Sequence, residues 1–232
     1  MKSGVAILFG ALMLLVVLEF DELCGLNHRE VSGRLLAAGW NVSGLGDWAT
    51  VWRSPEGFQV ARVCAFEPAY GIFVELCRNL DGHPMLPRVD FDAVLPGGGR
   101  LTVMEFLLAA DPAERSAVRA RWDAAEADDP VVALRREAER LNTAAAAAIP
   151  FWGSVDLNPV NVMKRSSGDL ILLDLFYANG PEIYQLLLEN PAKVAEAIPA
   201  ERREFISEIA AIARESTPEE IADLRANAAS IA

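Results

Sequence analysis

The sequence predicts an α+β chain in two unequal lobes, a small antiparallel β-sheet carrying one helix and then a larger, mostly helical region. Three observations point there. Between Trp40 and Phe106, short segments of alternating apolar and polar residues are separated by turns rich in Pro and Gly, the period-two pattern of half-buried strands. Beyond Leu107 the composition turns alanine-rich, apolar residues recur at helical spacing, and prolines mark the breaks. A chain of 232 residues, 52% apolar and 23% charged, can bury a substantial core, which excludes disorder. The expected division is 1–30, 31–106 and 107–232.

In chain order, Asn27 to Gly39 reads as a short amphipathic helix ending at glycine. Val42–Gly46, Ala49–Arg53 and Phe58–Cys64 read as strands, the last two joined by the turn Ser54-Pro55-Glu56-Gly57. A helix from about Pro68 to Leu80 places Ile72, Phe73, Leu76 and Cys77 on one side. Arg88–Leu95 and Arg100–Phe106 form a further hairpin around Pro96-Gly97-Gly98-Gly99. Helices follow over Pro112–Asp123 and Val131–Ile149, then a β-like island at 162–164 and 170–173. Three short helices, broken at Pro191, Pro199 and Pro218, complete the chain.

The first residues carry a separate question. Val5 to Leu18 is an uncharged apolar run behind Lys2, shorter than the ~18–20 residues a membrane span needs and followed by Glu19, Asp21 and Glu22. It reads as a buried or partner-facing helix, as a membrane-associated helix, or as a signal peptide, although no small-x-small cleavage pattern follows it. Cys24, Cys64 and Cys77 lack metal-site spacing and sit in apolar contexts, so they read as reduced thiols of a cytoplasmic protein, membrane-associated if the run meets lipid.

Charge narrows the partners. With 21 basic and 33 acidic residues the net charge is −12, which argues against nucleic acid. A phosphate-bearing ligand would need locally placed Arg or Lys and a bound metal. Two histidines and no Cys/His cluster leave little material for zinc.

The chemistry-bearing segment runs from Ser154 to Asp174: Asp156, then Asn161 five residues on, then a predicted hairpin delivering Asp174. Phosphoryl transfer needs these types, a carboxylate to accept the acceptor hydroxyl's proton and an amide plus a carboxylate to hold magnesium on phosphate oxygens. The plainer reading is that Asp and Asn are common turn formers and that Asp174 ends a buried strand.

The stretch DLNPVNVM resembles the DxHxxN segment of aminoglycoside phosphotransferase-type kinases, and LLDLFY lies where D-F-G would. Together with GLGDWATVW, QVARV, FVELCRN, HPMLPRV and VMEFL, the likeness is greatest to the early serine/threonine protein kinases of short-tailed bacteriophages. That resemblance implies a protein kinase-like two-lobed fold using ATP and Mg2+, with the nucleotide on the small sheet lobe. It implies Asp156 as the catalytic carboxylate and Asn161 and Asp174 as metal ligands. It further implies Gly44, Gly46 and Asp47 in the loop over the phosphates, Glu105 and Leu107 at an adenine-binding hinge, and Arg62 as the strand cation oriented by Glu75. Arg62 stands where the family has lysine, Ser154 replaces the histidine before the catalytic Asp, and no A-P-E signature follows. Three readings stay open: an ATP-dependent kinase of protein Ser or Thr, a pseudokinase that engages a protein partner, and a small-molecule kinase.

Overall fold

The structure, a computed structural model, describes residues 18–232. Five antiparallel strands form the main sheet in the order β1-β2-β3-β5-β4: β1 Asn41–Leu45, β2 Ala49–Arg53, β3 Gln59–Cys64, β4 Val89–Val94 and β5 Arg100–Glu105. Helix α1 (His28–Ala37) starts with a capping box, in which the Asn27 side chain accepts from Arg29 and Glu30 N–H while Glu30 accepts from Asn27 N–H at 2.9 Å. Helix α2 (Tyr70–Asn79) follows β3.

Alternation along β3 decides which face does what. Ala61 and Val63 join Leu23, Val31, Leu35, Trp40, Leu101 and Val103 in a core beneath α1, whereas Val60 and Arg62 face the opposite side. Helix α1 straddles the expected boundary at residue 30, and Leu23 is buried in the same core. Phe20 packs edge-on to Trp40 at 6.0 Å. Residues just before α1 are therefore part of the packing of the sheet.

After the sheet come β6 (Leu108–Ala109), α3 (Pro112–Ala124), α4 (Pro130–Ala148), β7 (Trp152–Val155), β8 (Val162–Lys164), β9 (Leu170–Leu172) and β10 (Phe176–Ala178). Strands β7 and β10 pair antiparallel, and β6-β8-β9 form a small sheet. A second core joins α2 (Phe73, Leu76) to α3, α4 and these strands (Val118, Leu134, Leu141, Leu172, Leu175), so the two halves of the chain share buried surface.

The C-terminal part holds α5 (Gly180–Glu189), α6 (Pro191–Ala197), α7 (Ala200–Arg203), α8 (Ala210–Glu215) and α9 (Pro218–Ser230), five helices where three were expected. Pro181, Pro191 and Pro218 occupy first-turn positions, so they start helices there. The chain breaks at Pro199 as expected and again at 204–209, and these turns bring it back onto the sheet. The β4–β5 turn lies against Phe205 and the Arg202 backbone, with Gly98 at φ 93°, a close approach that a Cβ would obstruct. Glu208 pairs with Arg29 at 2.5 Å and with His28 at 3.2 Å.

One expectation is corrected. All of the 5–18 run except Leu18 lies outside the described residues, and among the described residues no helix is long and apolar enough to cross a membrane. Among the described residues the expected membrane association finds no element to carry it.

Candidate active site

Two short strand pairs bring the residues of the 154–174 segment together. The β7–β10 pair sets Val155 opposite Phe176, so Asp156 and Leu175 meet just beyond its end, and Asp156 N–H donates to Leu175 O at 2.7 Å. The β8–β9 pair sets Val162 opposite Leu172, so Asn161 and Leu173 meet in turn, and Leu173 N–H donates to Asn161 O at 2.8 Å. Asp174 sits between the two junctions. Its backbone is left-handed at φ 50°, a conformation Asp tolerates better than branched residues do, and the Asn161 amide donates to its carbonyl at 3.3 Å. Asn158 N–H donates to one Asp156 carboxylate oxygen at 2.9 Å, which fixes the carboxylate, and Asp156 lines the cavity. These strands are three or four residues long, which is why Asp156, Asn161 and Asp174 were legible as a spacing but their convergence was not.

Asp156, Asn161 and Asp174 share a cavity of about 1120 Å³ with Gly44, Gly46, Asp47, Arg62, Glu105 and Leu107. Its upper wall is β1 to β3, its rear the segment Met104–Leu107, its floor Met163, Leu173 and Phe176. Glu105 is tied by Arg165, whose guanidinium donates to both its carboxylate oxygens and to the carbonyls of Pro84 and Leu86. This braces the rear wall against the β8–β9 turn. Asp47 is held by Arg214 of α8 at 2.5 Å.

Glu75 is the expectation the structure overturns. It is exposed on the outer face of α2, 3.8 Å from Arg140 of α4, and is no partner of Arg62. The partner is Glu67, in the β3–α2 connection: its Oε2 takes Arg62 Nη1 at 2.5 Å and its Oε1 accepts the Tyr70 N–H at 3.0 Å at the start of α2. Arg62 also lies 3.7 Å over the Tyr70 ring. The resemblance pointed to a residue within α2, whereas the bond comes from its N-terminal edge. The available signal was one acid within the apolar stretch CAFEPAY, buried at 6% exposure.

Electrostatics follow from this crowding. Burial disfavours the charge on Arg62, but Glu67 and then Asp174 outweigh it and hold the guanidinium protonated. For Asp174 burial dominates; Arg62 opposes it, Glu67 and Asp156 add to it, and the carboxyl is pushed up to about 7. Asp174 is only partly covered in surface terms because it borders the cavity. Glu67→Gln is expected to lower the melting temperature, since it leaves Arg62 buried without its partner at a cost of about 1–3 kcal/mol. Thermal unfolding of the variant beside Glu75→Gln, which should behave as wild type, checks this assignment.

The donor set suits magnesium rather than zinc. Among the described residues no group of three or more His, Cys, Asp or Glu could hold a metal on its own. An amide and one carboxylate, Asn161 and Asp174, match an ion that keeps waters and takes phosphate oxygens. Acids also outnumber the one basic residue, Arg62, among the described residues lining the cavity, an excess that a divalent cation would offset.

The chain matches no protein-family profile and no curated protein. Among solved structures it is similar to the kinase domain of PknI from Mycobacterium tuberculosis, with 17% identity over 84% of this chain and 97% of that one, at a TM-score of 0.27. A likeness at that score carries no argument about this chain.

Proposed function

We propose that the chain is a kinase-like phosphotransferase that moves the γ-phosphoryl group of Mg-ATP to an alcohol, the serine or threonine of a protein. The observation that supports it is the convergence of Asp156, Asn161, Asp174 and Arg62 on one cavity that also receives the Gly44–Asp47 loop and the Glu105–Leu107 segment. Adenine would lie against Met104–Leu107 and the phosphates beneath the 44–47 loop, in a two-lobed arrangement. Asp156 takes the proton of the attacking hydroxyl as its oxygen bonds to the γ-phosphorus and the bond to the β-phosphate oxygen breaks. Asn161 and Asp174 would hold magnesium, which when bound neutralises charge on the phosphate oxygens. Arg62 draws the phosphates toward β3, and Glu67 and Tyr70 fix its direction.

A pseudokinase that binds nucleotide or a protein partner is the second reading. It is favoured by the Arg62 guanidinium, which Glu67 already engages. The residue also decides between the two. Because the pocket of Glu67 and Tyr70 is fitted to a planar fork, Arg62→Lys is expected to lower transfer by about tenfold, with ATP affinity little changed. The assay is incubation of wild type and Arg62→Lys with labelled ATP, magnesium and a generic protein substrate. Transfer by neither form, with ATP bound by both, would establish the binding module instead.

A further inference from the structure

The 44–47 loop carries a carboxylate where a phosphate loop should carry none. Asp47 lines the cavity between Gly46 and Trp48, and a triphosphate beneath that loop would meet its negative charge in a cavity already dominated by acids. The far end of the chain addresses this. Arg214, on α8, places Nη2 2.5 Å from Asp47 Oδ1 and Nη1 3.2 Å from Leu45 O and 3.3 Å from Gly46 O. Ala211 N–H donates to Asp47 O at 2.8 Å, so α8 grips the loop at four points. Arg214 also reaches Glu215 at 3.3 Å, which makes it the cation shared by two acids at this edge of the cavity.

We infer that Arg214 is a specificity-determining and positioning residue of the nucleotide site: it neutralises Asp47 and fixes the loop so that a polyphosphate can lie beneath it. This rests on the nucleotide reading above. The device differs from a general clamp in its dependence on ligand charge. An uncharged nucleoside feels only the loop's position, whereas ATP feels both the position and the exposed carboxylate. Asp47 is largely solvent-facing and Arg214 about one-third exposed, at 71% and 35% side-chain exposure, so their pairing alone adds little stability and its removal should leave the chain folded.

The experiment is calorimetric titration of adenosine and of Mg-ATP into wild type, Arg214→Ala, Asp47→Asn and the double variant, with melting temperatures as the folding control. Arg214→Ala is expected to weaken Mg-ATP by about tenfold while adenosine stays within about twofold. Adding Asp47→Asn should restore most of the lost ATP affinity, because the charge that repelled phosphate has gone. Arg214→Lys should keep about half of the effect in free-energy terms, retaining charge but not the fork. Equal weakening of adenosine and Mg-ATP, unchanged ATP affinity, or failure of Asp47→Asn to restore it would each overturn the inference. If wild type binds neither ligand, the nucleotide reading itself fails, and this inference falls with it.

Discussion

Asp156→Asn is expected to reduce phosphotransfer by about a hundredfold to ten-thousandfold while Mg-ATP affinity stays within about twofold. The asymmetry follows from position. One carboxylate oxygen is committed to Asn158 N–H at 2.9 Å, and in a side chain that lines the cavity the other is left as the acceptor for a proton. An amide of the same shape preserves the turn and the bond to Leu175 O, which is made by the backbone. It cannot take a proton from an attacking hydroxyl. Single-turnover transfer and equilibrium ATP binding, measured on the same preparation, separate the two effects. A variant that transfers at the wild-type rate would remove Asp156 from the chemistry, and a variant that loses ATP binding would make it part of the nucleotide site.

Asp174→Asn should show two opposite effects. Without ligand it is expected to be more stable than wild type above pH 7 and equal to it near pH 4. An unfolded Asp titrates near 3.9, and here burial, with Glu67 and Asp156 adding to it against Arg62, pushes the folded carboxyl up to about 7. A raised carboxyl gives stability that is complete below the unfolded value and is lost as pH rises through the folded one. The gap of about three units sets a ceiling of roughly 4 kcal/mol, and the partial exposure of Asp174 lowers the expected loss to roughly 1–3 kcal/mol. Asparagine does not ionise, so the variant should escape it.

With Mg-ATP the order reverses. The wild type should gain melting temperature from the ligand and the variant should lose at least about tenfold in magnesium-dependent affinity, because the only carboxylate of the donor pair has gone. Melting curves from pH 4 to 9, with and without Mg-ATP, test both halves. Parallel pH profiles for the two proteins would mean that Asp174 does not carry the buried charge. An undiminished ligand-induced rise would take it out of the metal site.

What the sequence by itself determined was local. Alternation and Pro/Gly turns marked β1 to β5 within one or two residues, because the signal for a strand and its turn lies in neighbouring residues. Helices α3 and α4 were legible for the same reason at helical spacing, and the Asp156, Asn161 and Asp174 spacing was visible because one short segment carries it. Tertiary structure decided the rest. The pairings β7–β10 and β6–β8 are too short to have a periodicity of their own and form only when distant segments meet. Glu67 rather than Glu75 faces Arg62 because α2 turns its polar side toward Arg140 and its N-terminal edge toward the cavity. Arg214 reaches Asp47 across 167 residues because the C-terminal helices fold back over the sheet. Side chains brought together by such long closures leave no mark in local sequence, since the packing that places them is shared among many residues, none of which is diagnostic alone.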